Sequence, residues 1–289
     1  MTENNPPITD YVVEPRRRGL PLSIWIIPDA IVGLILTIFA SLILTIIAAG
    51  IAFATGTLTM VNGSLLLSDG TVVYGPGASP DALQNLILSP GFLFWSVLLQ
   101  NLAFIGVVLF RIRLMRHLPL TWLGLHFQKF GKMVLIGIGF GFAFIAMNVV
   151  TSWAFDYFFD IRQNQADQFP IVQGDILGQA LFFVAAAVIA PIGEEIFFRG
   201  YIFNALRQDL GPMFAIIMSA VIFSLVHFSS ATEGVVALLI PILFGGILLA
   251  LANYLTDSLV PCIIAHAMNN GLSTMVLIAC TNNPNFCQA

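Results

Sequence analysis

The chain has very little charge for its length. Only 9% of its 289 residues are Asp, Glu, Lys or Arg, and 58% are hydrophobic, whereas an ordinary soluble domain is roughly 25% charged. A soluble core could not absorb so much apolar sequence, which excludes a soluble enzyme or binding domain. Repeated apolar runs approach or exceed the roughly 20 residues that a helix needs to cross a bilayer. We therefore predict an all-α fold, a polytopic membrane helix bundle.

Seven apolar segments are candidates for the membrane helices of this bundle. Their predicted bounds are 29–55, 91–110, 132–155, 176–206, 211–228, 235–255 and 258–280. No internal repeat or second domain is visible, so residues 21–289 are predicted to form one membrane domain. Residues 1–20 are polar and contain Pro6, Pro7 and three consecutive arginines, Arg16 to Arg18. We interpret them as a flexible cytosolic arm.

Basic residues are scarce in every second loop. Loop 56–90 has none, and loop 156–175 has Arg162 against four aspartates. By contrast, the short connection between the second and third segments carries Arg111, Arg113, Arg116, Lys129 and Lys132. The positive-inside rule places the arm, loop 111–131 and the turn at Arg207 in the cytosol. Seven spans then put the C-terminus outside the cytoplasm, and we expect an integral protein of a bacterial plasma membrane.

Cysteine is also scarce, with three residues in the whole chain. No CxxC or Cys/His spacing indicates a structural zinc site. Cys262 falls within the last segment, whereas Cys280 and Cys287 lie at or beyond its outer end. In an oxidising exterior these two could form a disulfide, or they could remain free thiols; the sequence leaves both open.

Against this apolar background, a few polar side chains lie where lipid would exclude them. A charged side chain inside a membrane costs several kcal/mol and usually has a partner or a function. At about 1.5 Å per residue, Glu194 and His227 both lie roughly 20 to 24 Å from the turn near Gly211, so they are level. His266 and Asn270 are four residues apart and share one helical face. Three helices can therefore direct Glu, His, His and Asn to one point.

The neighbouring charged pair has a different interpretation. Glu195 and Arg199 are spaced i,i+4 with the acid first, the favoured order for an ion pair on a helix. We interpret this pair as structural, because it neutralises one glutamate and leaves Glu194 for chemistry. Pro191 lacks an amide hydrogen and should free a backbone carbonyl one turn earlier.

Three short motifs contain these residues in order. Glu194 to Arg199 matches EExxxR, Phe223 to His227 matches FxxxH, and His266 to Asn270 matches HxxxN. Together they resemble the CAAX-prenyl-protease and bacteriocin-processing family (CPBP, also called Abi) of intramembrane endopeptidases. The resemblance covers about 176–280, which we take as the catalytic family core.

The resemblance implies a peptidase that cleaves a membrane-associated protein or peptide, in contact with the lipid bilayer and without nucleic acid. Glu194 would be the general base that activates a water, and His227 would orient or polarise that water. His266 and Asn270 would stabilise the oxyanion of the tetrahedral intermediate, a role that suits an amide and a ring N–H. Whether the substrate is prenylated stays open.

Other functions remain possible alternatives at this point. Glu194, His227 and His266 could instead be zinc ligands with an open position for water, although the chain has neither GxSxG nor HExxH. A non-catalytic binding or bacteriocin-immunity protein would not need all four polar residues. A proton-coupled transporter should show broken helices in two related halves, and the polar residues here all lie in the C-terminal half.

Overall fold

The computed structural model describes residues 23–56, 58–68, 70–77, 90–161, 171–228 and 235–287, so the predicted arm at 1–20 lies outside it. Seven helices run through the described part of the chain. They are α1 (Ser23–Ala54), α2 (Pro90–Leu109), α3 (Phe130–Phe159), α4 (Ile176–Leu210), α5 (Pro212–Val226), α6 (Val235–Thr256) and α7 (Leu259–Asn282).

The predicted membrane helix bundle is confirmed. Six of these helices are long and apolar enough to cross a membrane, and α5 is an apolar helix of 15 residues. The predicted bounds differ from the observed ones by at most six residues, at the start of α1. The division into an arm and one membrane domain stays a prediction.

Capping residues explain where the helices around the site begin and end. The Asp175 side chain accepts a hydrogen bond from the Gly178 amide at 2.9 Å and starts α4. Gly211 has φ 79° and separates α4 from α5, which begins at Pro212. A positive φ suits glycine, and proline suits the first helical turn because its missing N–H is not needed there. The α4–α5 hairpin is therefore built into the local sequence.

The loop between α1 and α2 contains a small sheet that the segment prediction missed. Its antiparallel strands are β1 (Leu58–Val61), β2 (Ser64–Leu67) and β3 (Val72–Tyr74), in the order β1-β2-β3. Asn62 and Gly63 form the β1–β2 turn with φ values of 50° and 82°. Two consecutive positive φ values favour an Asn-Gly turn in a hairpin, so this local signal was present in the sequence.

Glycines let α7 and α6 approach their neighbours closely. A Cβ added to Gly137 of α3 would lie 2.8 Å from the Ile264 Cβ of α7, and one on Gly141 would lie 2.7 Å from the Met268 Sδ. On α6, a Cβ on Gly245 would overlap the Phe144 ring of α3. These contacts bring α3, α6 and α7 together around the polar residues.

One half of the bundle is filled by a continuous apolar cluster. It takes residues from the second halves of α2 and α4, from loop 111–131, from α5 and α6 and from the start of α7, and it reaches Phe223 beside the cavity. We call it the apolar plug; its members include Phe104, Val108, Ile112, Leu123, Phe197, Phe198, Ile202, Phe203, Leu206, Ile216 and Leu259. The plug lies at the end of the bundle that carries the α4–α5 turn.

The cysteines differ in state. Cys262 is free and buried in α7, whereas Cys280 near the end of α7 is disulfide-bonded. The side chain of Cys287 lies outside the described part of the structure.

Candidate active site

A cavity of about 740 Å³ lies inside the bundle, and Glu194, His227, His266 and Asn270 all line it. Helices α4, α5 and α7 supply these four side chains, as the spacing argument predicts. Most of the remaining lining is apolar, including Leu93, Val97, Phe144, Phe182, Leu238 and Leu277. The site is thus a mainly apolar chamber with a small group of polar side chains.

The deepest part of the site is a buried cluster of charges. Arg199 donates to the Glu195 Oε1 at 2.9 Å and to the Gly246 carbonyl at 3.1 Å, and its guanidinium lies 4.2 Å from the centre of the Phe223 ring. The side chains of Glu195 and Arg199 are both fully buried. Because both side chains are shielded from solvent, each charge needs a partner, and an unpaired charge there would strongly destabilise the fold.

Glu195 also contacts His266, which the sequence did not indicate. The Nδ1 of His266 donates to the same Glu195 Oε1 at 2.8 Å. A carboxylate that accepts from one ring nitrogen fixes both the orientation of an imidazole and the position of its proton. Glu195 therefore connects Arg199 to a residue that lines the cavity.

Glu194 has a more open environment than its neighbour. Its side chain is 15% exposed, and its Oε2 lies 3.8 Å from the Nε2 of His266, beyond hydrogen-bond distance. Within the described residues this oxygen has no hydrogen-bond partner. The Oε2 of Glu195 also has no partner there, but Glu195 is fully buried and does not line the cavity, whereas Glu194 does. Of the two glutamates, Glu194 is therefore the one that faces a molecule in the cavity.

His227 follows the last residue of α5 and is held by its own helix. Its Nδ1 donates to the Phe223 carbonyl at 2.7 Å, and the two rings pack with centroids 4.7 Å apart. Because Nδ1 carries the proton in this contact, the Nε2 of the neutral ring is a hydrogen-bond acceptor. His227 can therefore accept a hydrogen bond from a water in the cavity.

The orientation of Asn270 follows from an irregular turn of α4. Residues Ala185–Ile189 form a π-helical turn, in which the Ala190 amide donates to the Ala185 carbonyl. The next residue, Pro191, has no amide hydrogen, so the Ala186 carbonyl lacks its helical donor. The Asn270 Nδ2 donates to that carbonyl at 3.1 Å. The carbonyl freed at Pro191, predicted from the sequence, is thus satisfied by a site residue.

Two further asparagines extend this contact into a chain. The Asn269 Nδ2 donates to the Asn270 Oδ1 at 3.2 Å, and the Asn148 Nδ2 of α3 donates to the Asn269 Oδ1 at 2.7 Å. Since the Ala186 carbonyl can only accept, it fixes the direction of every amide in the chain. Both residues line the cavity, and sequence reasoning missed them although each is an amide in an apolar segment.

A metal site does not match this arrangement. In the part of the chain that the structure describes, no three His, Cys, Asp or Glu side chains are grouped so that they could hold a metal ion. The alternative in which Glu194, His227 and His266 bind zinc therefore finds no ready-made cluster here.

Part of the chain is similar to a known protein family. Residues 176–272, which contain all three motifs, match the family described as "Type II CAAX prenyl endopeptidase Rce1-like". This part of the chain thus resembles that family. "Putative membrane peptidase YdiL" of Bacillus subtilis (strain 168) is 29% identical over 157 residues, which make up 53% of this chain and 60% of that protein. The chain thus aligns with less than two thirds of this relative. No solved structure matches the chain significantly.

Proposed function

We propose that the chain is an intramembrane peptidase that hydrolyses a peptide bond of a membrane-associated protein or peptide. One observation carries the proposal: Glu194, His227, His266 and Asn270, from three helices, line one cavity inside a bundle of membrane-spanning helices. The family match over 176–272 supports it, since that family is described as an endopeptidase.

Water activation is assigned to Glu194 with His227. Glu194 lines the cavity and its side chain is 15% exposed, so its carboxylate can accept the proton of a water there. The Nε2 of His227 accepts the second hydrogen bond of that water and orients it. As the water oxygen attacks the peptide carbonyl, its proton moves to Glu194, which later gives it to the leaving amine. This is general base followed by general acid catalysis by one carboxyl group.

Oxyanion stabilisation is assigned to Asn270 and His266. The Asn270 Nδ2 has two hydrogens, of which the Ala186 carbonyl takes one, leaving one for the cavity. The Nδ1 of His266 is committed to Glu195, so its Nε2 donates only when the ring carries both protons. In that form His266 and Arg199 balance the charges of Glu194 and Glu195. Glu195 and Arg199 then act as positioning residues for His266.

A comparison of membrane proteins tests this function and identifies the substrate. Cells would produce the intact chain, the Glu194→Gln variant or the Asp209→Asn variant at equal amounts. Asp209→Asn is the matched control, because it makes the same change of acid to amide on α4 outside the cavity lining. We expect a protein or peptide that is shortened with the intact chain and with Asp209→Asn but stays full-length with Glu194→Gln. Identical membrane proteins in all three strains would favour a non-catalytic binding protein.

A further inference from the structure

We propose that the cavity takes its substrate from the extracytoplasmic half of the membrane. The substrate class would then be an exported protein or peptide anchored in the outer leaflet, not a lipid-modified protein of the cytosol. That the bound molecule is a substrate rests on the proposed peptidase function. The side from which it enters rests on the position of the cavity in the bundle.

The cavity lining lies toward one end of the bundle. Leu93 is three residues after the start of α2, Leu238 is three residues after the start of α6, and Leu277 is five residues before the end of α7. At about 1.5 Å per residue these positions lie within roughly 8 Å of their helix ends. The starts of α2 and α6 and the end of α7 meet at the same end because neighbouring helices run in opposite directions. Here the lining reaches almost to the bundle surface.

The opposite direction is closed by the apolar plug. Phe203 of α4 and Leu259 at the start of α7 are fully buried on the side of the charged cluster that faces the α4–α5 turn. Closely packed protein interiors contain few voids larger than a water molecule. A peptide therefore has no route to Glu194 through the plug. On the other side of Glu194, the apolar cavity leads directly to this residue.

Charge identifies which end faces the cytosol. The plug end carries the basic residues of loop 111–131 and Arg207, which pairs with Asp257 at 2.7 Å. At the cavity end, Asp156, Asp160 and Asp175 are present, and Arg162 is the single basic residue in the sequence of these loops. The positive-inside rule then places the plug end in the cytosol and the cavity end outside.

The position of Cys280 agrees with this orientation. Cys280 lies two residues before the end of α7, at the cavity end, and is disulfide-bonded. Disulfides persist outside the cytosol and are rare within it. A substrate that reaches this cavity therefore lies on the exported side, and the mainly apolar lining suits an apolar segment near its membrane anchor.

Thiol labelling in right-side-out membrane vesicles tests the side of entry without any activity measurement. Ser273→Cys places a thiol in the cavity lining, one turn beyond Asn270. Thr121→Cys is the control, an exposed position in the loop at the plug end. The unsubstituted chain gives the background, since Cys262 is buried and Cys280 is disulfide-bonded.

A small, charged, membrane-impermeant methanethiosulfonate should modify Ser273→Cys when added outside, and Thr121→Cys only after the vesicles are permeabilised. The reverse pattern would overturn the proposal, and so would a Ser273→Cys thiol that reacts from neither side. In the same vesicles, modification of Ser273→Cys should stop cleavage of the protein identified with Glu194→Gln. Labelling from outside without loss of cleavage would leave the orientation standing and contradict the proposed catalytic cavity, so the two failures are distinguishable.

Discussion

Replacing Arg199 by methionine should strongly destabilise the folded chain. Methionine keeps most of the apolar stem but removes the guanidinium that donates to Glu195 and to the Gly246 carbonyl. The Glu195 carboxylate, which is fully buried, would then retain only His266 as a partner. A stranded buried charge is the main cause of the expected loss.

The size of the effect follows from burial. Removing one partner of a buried ion pair costs about 3–5 kcal/mol. Arg207→Met is the matched control on the same helix: its partner is Asp257 at 2.7 Å, but the two side chains are 21% and 32% exposed. Pairs that reach water contribute about 0–1 kcal/mol, so this control should lose little.

Unfolding by SDS in mixed detergent micelles would measure both free energies of unfolding. The double variant Glu195→Gln with Arg199→Met should lose less than the sum of the two single changes, because no charge is then left unpaired. If Arg199→Met is as stable as Arg207→Met, the buried cluster is not the stabilising feature we infer. Normal stability with lost cleavage would instead make Arg199 a purely functional residue.

Two further predictions concern the amide chain and helix packing. Asn148→Ala should lower kcat about 2- to 10-fold with little change in KM, because it removes the hydrogen bond to Asn269, which in turn orients Asn270. Thr151→Val loses bonds to its own helix and should leave kcat unchanged. Equal kinetics of both variants would refute the positioning role. Gly245→Ala should lower the free energy of unfolding by about 1–3 kcal/mol, because the new Cβ would overlap a ring of α3. Gly139→Ala, with nothing within 4 Å of the new Cβ, should be neutral or stabilising in the same titration.

The helices could be predicted from sequence because lipid imposes a simple rule. A membrane helix needs a long apolar run, and Gly211 with Pro212 marks the break between two such runs. That Glu194 and His227 lie at the same depth in the bundle followed from the rise per residue of a helix alone. The small sheet was missed because a polar loop between spans was read as structureless, although Asn62 and Gly63 signalled a hairpin turn.

The network around the site could be predicted only in part. The i,i+4 spacing of Glu195 and Arg199 indicated their contact, but the bond from His266 to Glu195 depends on how α7 is rotated against α4. Rotation is set by tertiary packing, such as Gly137 and Gly141 against α7, and no local pattern encodes it. The chain from Asn148 through Asn269 depends on the same packing.

In the proposed mechanism, Glu194 activates the water that cleaves the substrate. The most direct measurement is the single-turnover cleavage rate of the identified substrate by the purified chain in vesicles, compared with Glu194→Gln and Asp209→Asn. General base catalysis contributes about 10²- to 10⁴-fold, so we predict a loss of that size for Glu194→Gln, an unchanged rate for Asp209→Asn, and equal folded fractions of all three proteins. Cleavage by Glu194→Gln at the rate of the intact chain would contradict the role of Glu194 as the general base.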